Sequence, residues 1–434
     1  MENNLPKGWE VKKLVDHVPI LKTGVEKFDG EKSYYSTGSI SDNGMIPEGK
    51  FTFRNRPARA NRLVLEKDVV QARMRETQKA VLVDKNLKES LLSTGFLQFR
   101  PEDNSYNSRL FYYYLRSDRF LKQRDEYATG STQVALTDEG AEKIDLVIPP
   151  QEQQKSIADK LDVLLTKVRD VQSRLDKIPT ILGRFRQSIL AAAFSGELTK
   201  EWRKKNKYSS VDSLLKRNEY KIADEIELSD LPDSWVWGAL GNYADCSRGR
   251  FSIRPRNDPR YYGGKHPFIQ IGDLPREGGY INKHSQTLND LGLGVSKMFP
   301  KGTVAIAIVG ATIANTGILE YNMCFPDSMV GIETGDEIRN RYCELFLRYK
   351  KHDIRQESYS SGGQPNINLQ TLNPLPIAFA PKEEQVEIVR RIEHQFHVVA
   401  EIESRYLHIK SYTDKLEQSI LAKAFRGELV KQEG

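Results

Sequence analysis

The sequence predicts an α+β chain in which two small, mostly β domains are each followed by a long helix, and the two helices pair. Three observations carry this: a gapless repeat at a fixed offset, an apolar heptad row within each copy, and short β-like runs ahead of each copy. The first copy, residues 150–200, begins PQEQQKSIADKLDVLL and ends RQSILAAAFSGELTK. The second, residues 381–431, begins PKEEQVEIVRRIEHQF and ends EQSILAKAFRGELVK. Gln187 matches Gln418, 231 positions on (418 − 187), and Pro150 matches Pro381 at the same offset. Solenoid units repeat every ~20–50 residues, so this longer period marks a duplicated domain.

In the first copy Ile157, Leu161, Leu164, Val168, Val171, Leu175, Ile178, Leu182, Phe185 and Ile189 step by four and three in alternation. That spacing draws an apolar seam along one side of a helix and asks for a partner helix. The second copy keeps the seam at Ile388, Ile392, Val399, Ile402, Tyr406, Ile409, Leu416 and Ile420, with Gln395 and Thr413 as polar breaks. Pro150 with Glu152, and Pro381 with Glu383 and Glu384, suit helix starts. Gly196 and Gly427 suit helix ends. Pro179 lies inside the first pattern and predicts a kink. At about 1.5 Å per residue, some thirty residues before that kink span roughly 45 Å.

Length and charge bound the rest. A chain of 434 residues has room for two to three domains with their own cores. Net charge is +6 and the pI about 8.9, a mild basic excess compatible with an anionic partner. Cys246, Cys324 and Cys343 are few and far apart, which argues against a disulfide framework and fits a reducing cytoplasm. The opening MENNLPKGWEVKK has no signal-peptide pattern. The longest apolar run, residues 304–314, is too short to span a bilayer. A cytoplasmic protein with no membrane association is expected.

Leu5-Pro6-Lys7-Gly8-Trp9 opens the first domain, and Leu231-Pro232-Asp233-Ser234-Trp235 the second. The expected boundaries are 1–149 for the first domain, 150–200 for its helix, 201–230 for a linker, 231–380 for the second domain and 381–434 for its helix and tail. Short runs rich in β-formers alternate with turn residues: 51–53, 63–65, 69–70 and 80–83, then 268–271, 304–309 and 317–319. Residues 110–115 and 342–348 read as matching amphipathic helices whose aromatics are core. Each domain then reaches a polar loop, 129–133 and 360–364, in which Gln133 and Gln364 keep the 231 offset. Glycine there permits close approach to a ligand, and Ser, Thr and Gln offer uncharged donors, Thr132 among them.

The search for catalytic chemistry finds little. Residues 44–50 nearly spell a phosphate loop, but Phe51 stands where the magnesium-binding hydroxyl belongs. Asn373-Pro374-Leu375-Pro376 lacks the second proline and the aromatic of an amino-methyltransferase tetrad and reads as a turn. His394 and His397 flank the seam with no third ligand near in sequence, so no metal is expected. Basic clusters stand out instead. Residues 246–262 carry Arg248, Arg250, Arg254, Arg256 and Arg260 among Phe251, Tyr261 and Tyr262. Arginine makes bidentate contacts to phosphate or guanine, and aromatics stack on bases or sugars. In the first domain Arg54, Arg56, Arg59 and Arg62 cluster, then Arg73, Arg75 and Lys79 surround Thr77 and Gln78. The corresponding stretch of the second domain holds Thr312 and Asn315. Two such clusters in duplicated domains of a basic chain point to nucleic acid.

The Leu-Pro-x-x-Trp openings, the Pro-x-Glu-x-Gln helix starts and the Gln-Ser-Ile-Leu-Ala-x-Ala-Phe-x-Gly-Glu-Leu ends together resemble the specificity subunits of type I restriction–modification systems. The resemblance spans essentially the whole chain and is most specific in the helices. It implies two target recognition domains arranged as a pseudo-two-fold repeat, each reading one half of a split, asymmetric duplex DNA site. It implies an antiparallel coiled coil that spaces the half-sites and docks two modification (methyltransferase) subunits, with restriction (translocase/nuclease) subunits completing the complex. It also implies a non-catalytic chain, with S-adenosylmethionine, ATP and magnesium held by partners. A separation of roughly 45 Å exceeds one turn of B-DNA, about 34–36 Å, so both domains could face one side of a duplex. The alternative from another class is a coiled-coil scaffold or adaptor with no sequence-specific DNA role, which would select no motif from a random DNA pool.

Overall fold

A strand at the start of each half pairs with the strand that leads into that half's long helix, and this closes each domain. A computed structural model describes residues 5–41, 44–102, 105–131, 134–214, 219–223, 226–360 and 366–430. It divides into two units, residues 1–177 with 405–434, and residues 178–404.

In the first unit β1 (Glu10–Lys13) runs antiparallel to β11 (Asp145–Ile148). Between them lie β2 (Lys32–Tyr35), β3 (Gly49–Phe51), β4 (Ala60–Leu63), β5 (Val69–Ala72), β6 (Ala80–Leu82), β7 (Leu91–Ser93) and β8 (Phe96–Phe99). They form a four-stranded sheet, β3-β2-β7-β4, and a three-stranded sheet, β8-β5-β6. Strands β5 and β8 are buried throughout, as unbroken runs such as Val69-Val70 require. Helix α1 (Ser108–Arg116) is capped by the Asn107 side chain, and its aromatics are core, as the sequence suggests. Helix α2 (Asp118–Tyr127) leads to the short pair β9 (Ala128–Thr129) and β10 (Ala135–Leu136). Helix α3 (Gln151–Leu175) completes this unit with residues 405–424 of the last long helix.

The second unit opens with α4 (Ile178–Phe194) and repeats the closure, β12 (Val236–Ala239) against β22 (Pro376–Phe379). A five-stranded sheet has the order β13 (Asp245–Arg248), β21 (Met329–Glu333), β18 (Val304–Ala307), β19 (Thr316–Leu319), β15 (Tyr280–Ile281). A four-stranded sheet holds β16 (Gln286–Leu288), β14 (Tyr262–Phe268), β20 (Met323–Cys324) and β17 (Met298–Phe299). Helix α5 (Glu337–Ser360) packs on β19 and α4. Helix α6 (Lys382–Ala424) supplies residues 382–404 to this unit.

Within each unit the two long-helix segments run antiparallel. In the first, Lys160 Nζ donates to the Leu429 carbonyl (2.7 Å) and Lys410 pairs with Asp176 (2.8 Å). In the second, Arg186 pairs with Glu403 (2.6 Å) and Arg391 Nη1 donates to the Leu198 carbonyl (2.7 Å). Gly196 and Gly427 both end helices at φ +77°. Instead of a kink at Pro179 the helix is interrupted at Asp176 and Lys177, and Pro179 sits in the first turn of α4, where its missing N–H costs nothing.

The seam needs correcting in detail. Val168, Leu175, Leu182 and Ile189 are buried, as are Ile392, Val399, Tyr406 and Thr413, each set at steps of seven. The alternate row is buried only at its start, at Ile157 and Ile388: Val171, Phe185, Ile402, Ile409 and Leu416 are exposed, and Leu164 and Ile178 are half-buried. Thr413, read as a break, is 6% exposed and satisfies its hydroxyl on the Ile409 carbonyl at 2.8 Å. Leu165 rather than Leu164 lies inside. A straight helix drifts ~20° per heptad against a 3.5-residue repeat, which turns a neighbouring position into the contact. Part of the stretch expected as linker is also fixed to the second unit, with Val211 and Leu214 in its core. No helix among the described residues is long and apolar enough to cross a membrane.

Candidate nucleic-acid interface

Each unit sets the tip of one hairpin against the segment that follows its polar loop in the chain. In the first unit the tip is residues 73–79, between β5 and β6. Met74 bridges Ala135, the Leu136 N–H donates to the Arg73 carbonyl (2.8 Å), and the Arg75 N–H donates to the Val134 carbonyl (3.0 Å). In the second the tip is residues 308–315, between β18 and β19. Val309 bridges Asn366, and the Ile367 N–H donates to the Ile308 carbonyl (2.9 Å). In each half a hairpin tip thus meets chain far away in sequence, residues 134–136 in the first and 366–367 in the second. Thr132, Gln133 and Gln364 lie outside the described residues.

An arginine from the helix that precedes each polar loop fastens the tip, buried in the first unit and half-buried in the second. Arg124 of α2, 1% exposed, donates to the Thr77 carbonyl and pairs with Asp125 at 2.7 Å. Arg355 of α5 donates to the Ala311 carbonyl at 3.3 Å. The sequence reading missed both, although they stand 231 positions apart (355 − 124), the offset of the helix repeat.

The basic residues of the first unit divide by what they already hold. Arg73 donates to the Leu136 carbonyl (3.1 Å) and pairs with Asp138 (2.5 Å), so it fixes the tip's root. Lys79 Nζ donates to the Thr37 carbonyl (2.8 Å), and the Thr77 hydroxyl to the Met74 carbonyl (2.7 Å). Arg56 lies over the Phe53 ring at 4.1 Å and donates to the Ala60 carbonyl (3.1 Å). Arg62 is 1% exposed and donates to the Leu21 carbonyl (2.9 Å). Burial, with Arg73 nearby, pushes its pKa down to about 10. Arg54, Arg59 and Arg75 present their guanidinium groups to solvent, Arg75 beside Glu76 at 3.8 Å.

In the second unit the arginine-rich loop is held from within. Arg250 donates twice to the Ser296 carbonyl, at 2.6 and 3.1 Å. Arg248 donates to the Asp327 carbonyl (2.6 Å), while Arg254 (3.6 Å) and Arg256 share the Asp327 carboxylate. Arg260 forks onto Asp258, which holds that carboxyl below its usual range. One carboxylate between Arg254 and Arg256 leaves that surface cationic. Phe251 does not line it: it is 2% exposed and forms a small core with Phe268, Leu288 and Cys324, against which the half-buried Tyr261 and Tyr262 pack, Tyr261 under the Arg260 guanidinium at 5.9 Å. Base stacking expected of Phe251 is therefore corrected to packing. Thr312 and Asn315 sit in the hairpin tip, Asn315 buried, with its N–H donating to the Thr312 carbonyl at 2.9 Å.

Such paired tips and exposed arginines can grip phosphates and reach into a groove. A family model described as the type I restriction modification DNA specificity domain matches residues 6–179 and again 232–406. The EcoDI specificity subunit of Escherichia coli is 31% identical over 327 residues, 75% of this chain and 71% of that one. The EcoBI specificity subunit of Escherichia coli is 28% identical, covering 98% of this chain and 83% of its own. A solved chain from work on complex assembly and conformational transition of the type I R-M system superposes with a TM-score of 0.78 at 21% identity, over 98% of this chain and 99% of that one. The HsdS subunit from Thermoanaerobacter tengcongensis gives 0.59 at 21% identity over 98% of each. With both halves matched by the same model, the chain belongs to the type I restriction–modification DNA specificity family.

Proposed function

We propose that this chain is the sequence-reading subunit of a type I restriction–modification complex, and that each unit reads one half of a split, asymmetric site in duplex DNA. The observation that carries the reading is the repeated pairing of a fastened hairpin tip with the segment that follows a polar loop, once in each unit. Methylation and cleavage belong to other chains: two modification subunits using S-adenosylmethionine, and restriction subunits using ATP and magnesium. This chain binds none of those cofactors. Exposed apolar residues on the long helices, such as Phe185, Ile409 and Leu416, call for cover by a partner, and the modification subunits fit that need. The complex acts on DNA in the cytoplasm.

Mapping methylated adenines in DNA exposed to the assembled complex tests this. The expected product is one bipartite motif with a fixed unread gap; methylation without a motif would return the chain to the scaffold reading. Paired four-residue insertions at Val171 and Val399 add about 6 Å of helix, nearly two base pairs. They are expected to lengthen the gap and leave both half-sites unchanged. An active double insertion that keeps the original gap would sink the spacing role.

A further inference from the structure

The helix repeat turns one glutamine to a neighbouring helix carbonyl in both units. Gln418 Nε2 donates to the Arg116 carbonyl (3.0 Å), and Gln187 Nε2 to the Tyr349 carbonyl (3.2 Å). The residue before each glutamine differs in sign. In the first unit it is Glu417, which pairs with Arg116 of α1. In the second it is Arg186, and Leu347-Arg348 of α5 stands where Leu115-Arg116 stands in the first. A cation–carboxylate contact has become two cations.

The consequence is a pocket lined by more cations than carboxylates. Arg186 turns to Glu403 at 2.6 Å. Arg348 has an 11% exposed side chain, and Glu344 is 3.9 Å away, beyond hydrogen-bond reach. Glu344 is already committed to the Gly279 N–H (3.1 Å), the Thr316 hydroxyl (3.0 Å) and Arg341 (2.7 Å). The Phe396 ring lies 4.9 Å from the Arg348 guanidinium, so one wall is aromatic. Arg186, Arg348, Lys351 and Arg276 line a cavity of about 100 Å³, with Glu277 as its one lining carboxylate among the described residues. That is room for about three waters. Burial pushes both Arg348 and Lys351 below their usual pKa, and neighbouring arginines add to it against the pull of Glu344 on Arg348 and of Glu277 on both.

We propose that this pocket is an anion site that takes a single phosphate group. The group comes either from the backbone of DNA held by this unit, which rests on the DNA-reading role proposed above, or from free inorganic phosphate. Four lining cations, three of them arginines with fork-shaped donors, suit a tetrahedral dianion, whereas in the first unit the Arg116–Glu417 pair is closed.

The full chain is tested by thermal unfolding in inorganic phosphate against chloride at equal ionic strength. Saturating phosphate is expected to raise the wild-type Tm by roughly 2–4 °C. Arg186→Glu with Glu403→Gln writes the first unit's charges into the second, since Glu417 and Gln172 occupy the repeat positions. That variant is expected to match or exceed the wild-type Tm in chloride and to lose the phosphate shift. Lys351→Gln, at the rim, is the second variant. With modification subunits assembled, it is expected to flatten the salt dependence of DNA affinity by about one unit if the phosphate is DNA's. A lost phosphate shift with an unchanged slope makes the free anion the ligand. A changed slope with no phosphate shift makes the DNA backbone the ligand. No shift in wild type together with unchanged slopes overturns the site. A complex that selects no DNA motif but keeps the phosphate shift overturns the DNA-reading role and leaves the pocket standing.

Discussion

Trp9 and Trp235 stand at the same place in the two halves, yet their indole N–H groups meet different acceptors. Trp9 donates to the Gln153 side chain at 3.2 Å, and Trp235 to Glu384 at 2.9 Å. The next residue behaves alike in both: Gln154 and Gln385 donate to the carbonyls of Pro149 (3.1 Å) and Ala380 (2.9 Å). The frame is therefore shared and only the charge differs. Glu384, 0% exposed, also accepts from the Thr199 hydroxyl (2.7 Å) and Arg203 Nε (2.9 Å). One carboxylate in place of an amide turns a local bond into a hub that fastens the segment after α4. A buried carboxylate must be met by several donors, so it organises chain that a neutral side chain leaves alone.

Breaking the hub separates the two halves most clearly. Glu384→Leu strands Trp235, Thr199 and Arg203, and is expected to cost about 3–5 kcal/mol. Glu384→Gln restores the first half's chemistry and should cost about 1–3 kcal/mol, whereas Gln153→Ala should cost only about 1 kcal/mol. Chemical denaturation gives the size, and amide exchange over residues 199–203 gives the place. Equal losses at 153 and 384 would mean that the carboxylate adds nothing.

The tip anchors give the next largest contrast. Arg124→Leu leaves a buried carbonyl and Asp125 without their donor, for about 2–4 kcal/mol. Arg355→Leu loses a longer, exposed bond and should cost under about 1 kcal/mol. Both should loosen their own tip in amide exchange and weaken reading of the matching half-site only. Loss at both half-sites from either variant would argue against independent tips.

The smallest effect is electrostatic. Hydrogen bonds from Arg390, outweighing burial, and then from Arg391 hold the Glu387 carboxyl at about 2, below its ordinary 4.5. A depressed carboxylate stabilises fully above its unfolded pKa and loses that contribution as pH falls through the folded one. Glu387→Gln should therefore cost roughly 0.5–1 kcal/mol at pH 7, allowing for solvent around Arg390. The difference from wild type should shrink between about pH 4.5 and 2. A difference that stays constant with pH would show that the pairs contribute no charge effect.

Much of this plan could be read before any coordinates. The 231-residue offset exposes the duplication, and unbroken or alternating apolar runs locate β5, β18 and α1. The heptad pattern cannot choose between its two rows, because Val168 and Val171 have the same chemistry. Only packing decides that one is buried and the other exposed. The basic clusters could be counted but not sorted. Arg256 is neutralised by Asp327, 71 residues away, and Phe251 is claimed by a core built from three other strands. Arg124 looks like one more surface charge until the hairpin folds over it.

Arg124 and Arg355 hold their hairpins by a peptide oxygen and ask nothing of the side chain that carries it. Every residue type has that oxygen. The letters in a tip can therefore change without releasing the clasp, and a new reading surface arrives already mounted at the right height. On the role proposed for the tips, such a chain would acquire a different vocabulary by rewriting a few residues in one of them, with the helices, the closure strands and the other half untouched.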